Sequence, residues 1–311
     1  MPDKNEQVNL SAGERFEAAI IAGAIGDAWG SSYENYTSPI KPNTYYLHPV
    51  PKTVHTWMLT DDTQLTLASC EALADSQGFS PEILSNYFVQ YYHNRRITGI
   101  GASTLKAIQE LAIGGHWSQT GRTGDYAAGN GAAMRIAPFA FWKNISREDI
   151  RNICRITHKN DEAYTGALAV VLAIRSVLEN KWNGSNNLLD LIIPQLPDTN
   201  VRDRLVQINE YSQATEIQAV AKLGNNGYVV NSVPFAIFAA SRVMDLGLER
   251  MFEEIIQAAG DTDTNASIAG QIAGTLLGLQ GIPQALFVKL QLLDNYSWLQ
   301  AIVQKTKATL S

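Results

Sequence analysis

The chain has 311 residues, 45% of them hydrophobic and 17% charged, with a formal net charge of −6, the balance of a globular protein with a sizeable core. Such a charge leaves no basic excess to displace counterions, which argues against a nucleic-acid backbone as the main partner. The N-terminal "MPDKNEQVNLSAGERFE" has no apolar leader, "AAIIAGAIG" and "VPFAIFAA" are far short of a membrane span, and the two cysteines, Cys70 and Cys154, fall in expected helices, so a cytoplasmic protein with reduced, buried thiols is expected.

Helical periodicity dominates the chain. Phe16, Ala19, Ile20 and Gly23 share one face of a first helix, which starts at Ser11 with Glu14 three residues on, a capping-box pattern. Gly26 is expected to end it, with Asp27 and Glu34 on the loop beyond. A second helix is expected from Thr60 to "DSQGFSPE", and a third from Pro81 to Arg95 with interleaved aromatics. Further helices are expected over 102–113, 132–142, 147–157, 161–180, 201–221, 233–245, 248–259 and 265–279. "TVHTWML" and "GYVV" carry weak strand signals, and no βαβ alternation, heptad or repeat of 20–50 residues is present. The expected architecture is all-α: one compact helical bundle over 1–311, its core about 14–290. Between Gly114 and Gly131 a glycine-rich stretch without apolar periodicity reads as an ordered binding loop.

Two acidic clusters stand out. "TDDT" covers 60–63 and "DTDT" covers 261–264. Each alone is explained by helix capping and the helix dipole. Together they offer four carboxylates and threonine hydroxyls at two helix starts, an oxygen set suited to Mg²⁺ or Mn²⁺ if the starts converge. Behind the second cluster, Ala266, Gly270, Gly274 and Gly278 recur every four residues. Glycine in a helix interior costs roughly 1 kcal/mol relative to alanine, so close helix packing is expected there.

Four stretches, "GAIGDAWGSSYE", "TDDTQLTLA", "GNGAAMRIAP" and "AAGDTDTNASIAGQIAGTLLG", resemble in order the signature segments of the ADP-ribosylglycohydrolases. The resemblance spans roughly residues 14–290. It implies an all-α hydrolase with two Mg²⁺ (or Mn²⁺) ions that cleaves the glycosidic bond between ADP-ribose and an acceptor: arginine, serine, a nucleobase or a small molecule. It places Thr60, Asp61, Asp62, Asp261, Asp263, Thr264 and Glu34 at the metals, with Glu34 and Asp62 catalytic. Gly129, Asn130, Gly131, Met134 and Arg135 become the substrate cradle, since glycines let backbone N–H groups approach a diphosphate, and His158 falls near ribose or diphosphate. Asn160 stands where many members have a second histidine, which leaves the acceptor preference open. Two rival readings remain: a metal-dependent phosphohydrolase of nucleotide diphosphates, and a non-catalytic, crystallin-like protein.

Overall fold

The structure, a computed structural model, describes residues 10–34, 56–76, 79–211 and 215–310. Its helices are α1 (Ala12–Gly30), α2 (Asp61–Ser76), α3 (Pro81–His93), α4 (Ala102–Ala112), α5 (Ala137–Ala140), α6 (Arg147–Arg155), α7 (Asp161–Leu178), α8 (Leu188–Ile192), α9 (Asn200–Asn209), α10 (Ile217–Ala221), α11 (Val229–Ser241), α12 (Val243–Leu246), α13 (Leu248–Gln257), α14 (Thr262–Leu277), α15 (Gln284–Gln291) and α16 (Tyr296–Lys307). Two short strands, β1 (Arg122–Thr123) and β2 (His158–Lys159), pair in parallel, with Arg122 opposite His158. The expected all-α class holds. Among the described residues no helix is long and apolar enough to cross a membrane, and Cys70 and Cys154 are free and buried.

The centre of the fold is the antiparallel pair α1 and α14. From Phe16 to Gly30, α1 is buried almost all round, as expected of a helix inside a core. Small residues let the two backbones meet. A β-carbon added at Gly274 would lie 2.4 Å from the Ala18 carbonyl oxygen, at Gly270 2.4 Å from that of Ala22, at Gly26 2.3 Å from that of Ala266, and at Gly30 2.4 Å from that of Thr262. No real β-carbon tolerates such distances, so the four-residue spacing seen in the sequence is a packing ridge. Gly278 lies outside it: with φ of +68° it caps the end of α14, the left-handed conformation glycine adopts most cheaply.

This ridge corrects the expected end of the first helix. Gly26 does not stop α1, because its missing side chain serves contact with α14; the helix runs on to Gly30, and Asp27 is a helical residue with no exposure. Its start is as expected: the Ser11 hydroxyl accepts from the Glu14 N–H at 3.2 Å while the Glu14 carboxylate accepts from the Ser11 N–H at 2.8 Å.

Three further expectations change. The helix expected over 132–142 is reduced to α5 after a series of turns. Pro138 cannot donate to the Met134 carbonyl and its ring would collide with it. That carbonyl accepts instead from Gln271 of α14 at 2.9 Å and Thr66 of α2 at 3.3 Å. The segment 201–221 divides into α9 and α10. "GYVV" is not a strand: Val229 and Val230 open α11, and only Tyr228 pairs, in an isolated bridge with Gly129. Of "TVHTWML", the first three residues lie outside the described residues, and the rest is extended chain leading into α2.

Candidate active site

The C-terminal end of α1 and the N-terminal ends of α2 and α14 converge. Helix N-termini leave N–H groups without intrahelical partners, and at α2 these are met from another helix. The Asp27 carboxylate accepts from the Thr60 N–H at 3.0 Å and the Thr63 N–H at 3.1 Å, and from their hydroxyls at 2.6 and 2.5 Å. This releases Asp61 and Asp62, in the first turn, from capping duty. At α14, Gly260 is left-handed with φ of +83°, and Asp261 occupies the capping position without making a capping bond. Its carboxylate accepts instead from the Asn130 side chain at 2.7 Å.

The two clusters meet directly. The Thr264 hydroxyl donates to Asp62 at 3.1 Å. Carboxylate oxygens of Asp27, Asp62 and Asp263 lie within 4.8 Å of one another, as do those of Glu34, Asp261 and Asp263, so Asp263 belongs to both trios. Burial raises the Asp62 and Asp263 carboxyls well above the usual carboxylate range, and their acidic neighbours, Asp263 for the one and Asp261 for the other, raise them further. Burial, then Asp27, pushes Asp61 up to about 7. Glu34, on the turn after α1, is raised by partial burial, then by Asp261 and Asp27.

Such a gathering of negative charge is costly without compensation. One oxygen of Asp62, Oδ1, is fully buried with no hydrogen-bond partner among the described residues. A buried carboxylate oxygen without a donor, inside an all-oxygen set, fits a hard divalent cation. Asp27, Asp62, Asp263, Asp261 and Glu34 are placed to hold such ions, with Asp61 and Thr264 beside them on the cleft. Thr60 stands behind: its hydroxyl donates to Asp27, and it does not line the cleft.

The cleft, of about 230 Å³, is walled by Glu34, Asp61, Asp62, Asp261, Asp263 and Thr264 on one side and by Gly129, Asn130, Gly131, Met134 and His158 on the other. The Gly129–Gly131 turn packs on the His158 ring: a β-carbon at Gly131 would lie 3.0 Å from His158 Cε1 and 3.2 Å from Thr104 Oγ1, and one at Gly129 3.2 Å from His158 Nε2. Arg135, expected in the cradle, does not line the cleft. It is wholly buried, donates to the Gly131 carbonyl and to the Thr157 hydroxyl, and lies over the Phe88 ring. Asn160 caps α7, its side-chain oxygen accepting from the Glu162 N–H at 2.8 Å and the Ala163 N–H at 3.2 Å. A larger recess of about 340 Å³ adjoins through His158, lined by Arg151, Arg155 and Lys159, and holds no such carboxylate cluster.

A family model described as ADP-ribosylglycohydrolase matches residues 9–310. The chain belongs to the ADP-ribosylglycohydrolase family. By class it is therefore an enzyme that hydrolyses glycosidic bonds. Among its relatives are an uncharacterized protein of Archaeoglobus fulgidus, 28% identical over 273 residues, covering 84% of this chain and 87% of that one; the human ADP-ribosylhydrolase ARH3, 25% identical over 321 residues and 87% of each; and the ADP-ribosylarginine hydrolase Tri1 of Pseudomonas putida, 25% identical over 290 residues, covering 87% and 72%. A solved chain of an ADP-ribosylglycohydrolase-related protein complex shares the fold, with a TM-score of 0.71 at 24% identity over 96% of this chain and 99% of that one.

Sequence reasoning missed three contributors to this ADP-ribosylglycohydrolase site. Asp27 was expected on the loop after α1, since nothing local shows that the helix continues past Gly26. Gly99 and Gly101 on the approach to α4, and Ala102, Ser103 and Thr104 in its first turn, line the cleft, and a backbone N–H at Gly101 bonds Asp61; the signal was the Gly-x-Gly in "ITGIGAST". Gly227 was missed for want of any local pattern.

Proposed function

We propose that this protein hydrolyses the glycosidic bond between ADP-ribose and an acceptor, using two divalent cations, Mg²⁺ or Mn²⁺, held by the two carboxylate trios. The observation that carries the reading is the sharing of Asp263 between trios beside the unpartnered Asp62 Oδ1. When bound, such ions supply Lewis acidity and lower the pKa of water. The protein's own groups supply the rest. Glu34, at the rim of the cleft, takes the proton of the attacking water. The surrounding carboxylates, Asp62 among them, favour positive charge developing on the ribose, as in other glycoside hydrolyses. Asn130 holds Asp261 in place and so ties the glycine turn to the acidic wall.

The cleft is smaller than the roughly 300 Å³ at which drug-sized sites begin. It therefore admits the ribose, and the diphosphate runs over the 129–131 turn, where glycines keep the backbone open to phosphate oxygens. Relatives named for ADP-ribose and ADP-ribosylarginine hydrolysis support this reading, and the match over 9–310 supports treating the chain as one unit.

The test is product analysis. ADP-ribosylated arginine, serine and nucleobase substrates are incubated with the protein and Mg²⁺ or Mn²⁺. Release of intact ADP-ribose from at least one is expected. AMP as product would make the protein a phosphohydrolase, and no turnover of any substrate would overturn the reading.

A further inference from the structure

His158 reaches the cleft from β2 with 3% of its surface exposed, and its two ring nitrogens have different surroundings. Nδ1 lies 2.7 Å from the Thr157 hydroxyl. Nε2 faces the Gly129–Gly131 turn, where a β-carbon at Gly129 would come within 3.2 Å of it, and has no hydrogen-bond partner among the described residues. Thr157 in turn accepts from Arg135 Nη2 at 2.7 Å. Arg135 also donates to the Gly131 carbonyl, so one buried guanidinium touches both the cradle and the relay behind the histidine.

Proton bookkeeping then decides the tautomer. The Thr157 hydroxyl is fully buried, and its partners among the described residues are Arg135 and His158 alone. Arginine only donates. The hydroxyl hydrogen therefore needs an acceptor, and His158 Nδ1 is the one in reach. Were Nδ1 protonated, two N–H groups would point at one oxygen while the hydroxyl hydrogen was stranded in the core, a cost that buried polar groups avoid. A bare Nδ1 gives the hydroxyl hydrogen its acceptor, and the proton of the neutral ring then sits on Nε2, facing the cleft.

We propose that Arg135 and Thr157 are positioning residues that hold His158 as its Nε2–H tautomer, presenting the cleft with a fixed hydrogen-bond donor for an anionic oxygen of the substrate's diphosphate. The relay explains why a buried arginine lies behind a glycine turn without touching the cleft. It also assigns His158 a role as donor and not as general base. In agreement, burial, then Arg135 and Arg122, lowers the His158 imidazolium to about 3, so the ring is neutral at physiological pH. The choice of a diphosphate oxygen rests on the functional reading above; the tautomer does not.

Long-range ¹H–¹⁵N correlation spectra of the ¹⁵N-labelled full chain, recorded without ligand at neutral pH, read the tautomer directly. A pyridine-like Nδ1 and a pyrrole-like, protonated Nε2 are expected for His158. A protonated Nδ1 in the wild-type protein overturns the proposal, whatever the substrate proves to be. The second arm is calorimetry with ADP-ribose on Thr157→Val and Thr157→Ser. Thr157→Val is expected to mix the tautomers and to weaken ADP-ribose binding by the inverse of the Nε2–H fraction that remains, about twofold for an even mixture. Thr157→Ser should restore both spectrum and affinity. Wild-type tautomer populations in Thr157→Val, or a failure of serine to rescue, would sink the relay. Absence of ADP-ribose binding by the wild type, with the Nε2–H tautomer present, would refute the functional reading and leave the relay standing.

Discussion

The Asp27 carboxylate receives the Thr60 hydroxyl at 2.6 Å, and this bond joins the end of α1 to the start of α2. The same carboxylate belongs to the trio with Asp62 and Asp263. One residue therefore caps a helix and shapes the acidic site. Asp27→Ala leaves the N–H and hydroxyl groups of Thr60 and Thr63 without their acceptor in a buried place. A loss of about 3 kcal/mol of unfolding free energy is expected, measured by urea denaturation in the absence of divalent cations. Undiminished stability would show that relief of charge repulsion outweighs the lost hydrogen bonds.

The helix ridge makes a prediction opposite to helix propensity. Alanine is favoured over glycine in helices by roughly 1 kcal/mol, yet Gly26→Ala should destabilise the protein by about 2 kcal/mol or more, because its β-carbon would press on the Ala266 carbonyl. At Gly30 the added atom would lie 2.6 Å from the Asp263 Cα. Gly30→Ala should therefore also weaken Mn²⁺ binding about tenfold or more, read by calorimetry. A stabilised Gly26→Ala variant would rule out the close packing described.

Stability of the metal-free protein should depend on pH in a particular sense. The Asp61 carboxyl is raised to about 7, and those of Asp27, Asp62 and Asp263 are raised as well. A carboxyl whose folded pKa exceeds its unfolded value, about 4, holds its proton more tightly in the folded state. Its contribution is complete below pH 4 and is lost as pH rises through the folded value. The melting temperature in a chelator should thus fall between pH 5 and pH 8. Saturating Mg²⁺ or Mn²⁺ should flatten or reverse that slope, because cation binding displaces those protons. Identical melting curves with and without cations across this range would argue against a metal centre.

Glu34 stands at the rim of the cleft, within reach of Asp261 and Asp263. Glu34→Gln keeps its size but removes the charge and the base. Turnover of the cleavable substrate should fall by roughly 10²-fold or more, with the unfolding midpoint little changed because the residue lies on the turn after α1, outside the core. Near-normal turnover would make this glutamate a solvated side chain.

Much of this architecture is legible in the chain by itself. Apolar residues at helical spacing mark α1, α3, α4, α6, α7 and α13 to within a few residues, and Ser11 with Glu14 marks where α1 starts, because period and capping are local properties. The two Asp/Thr clusters are local too, as is the glycine turn between them. What one strand of sequence does not contain is which distant group completes a local need. Gly26 looks like a helix terminator until Ala266 is seen to occupy the space of its β-carbon. Asp27 looks like a loop residue until the N–H groups of Thr60 and Thr63 are found pointing at it. Pro138 breaks the expected 132–142 helix at no cost only because Gln271 and Thr66 receive the Met134 carbonyl. Arg135 belongs by motif to the cradle, and only the packing of α3 and β2 around it turns its guanidinium inward to Thr157 and the Gly131 carbonyl. Hydrogen-bond satisfaction and close packing are settled between residues on different elements, 22 positions apart for Arg135 and Thr157 and 137 for Met134 and Gln271, and there tertiary structure alone decided the outcome.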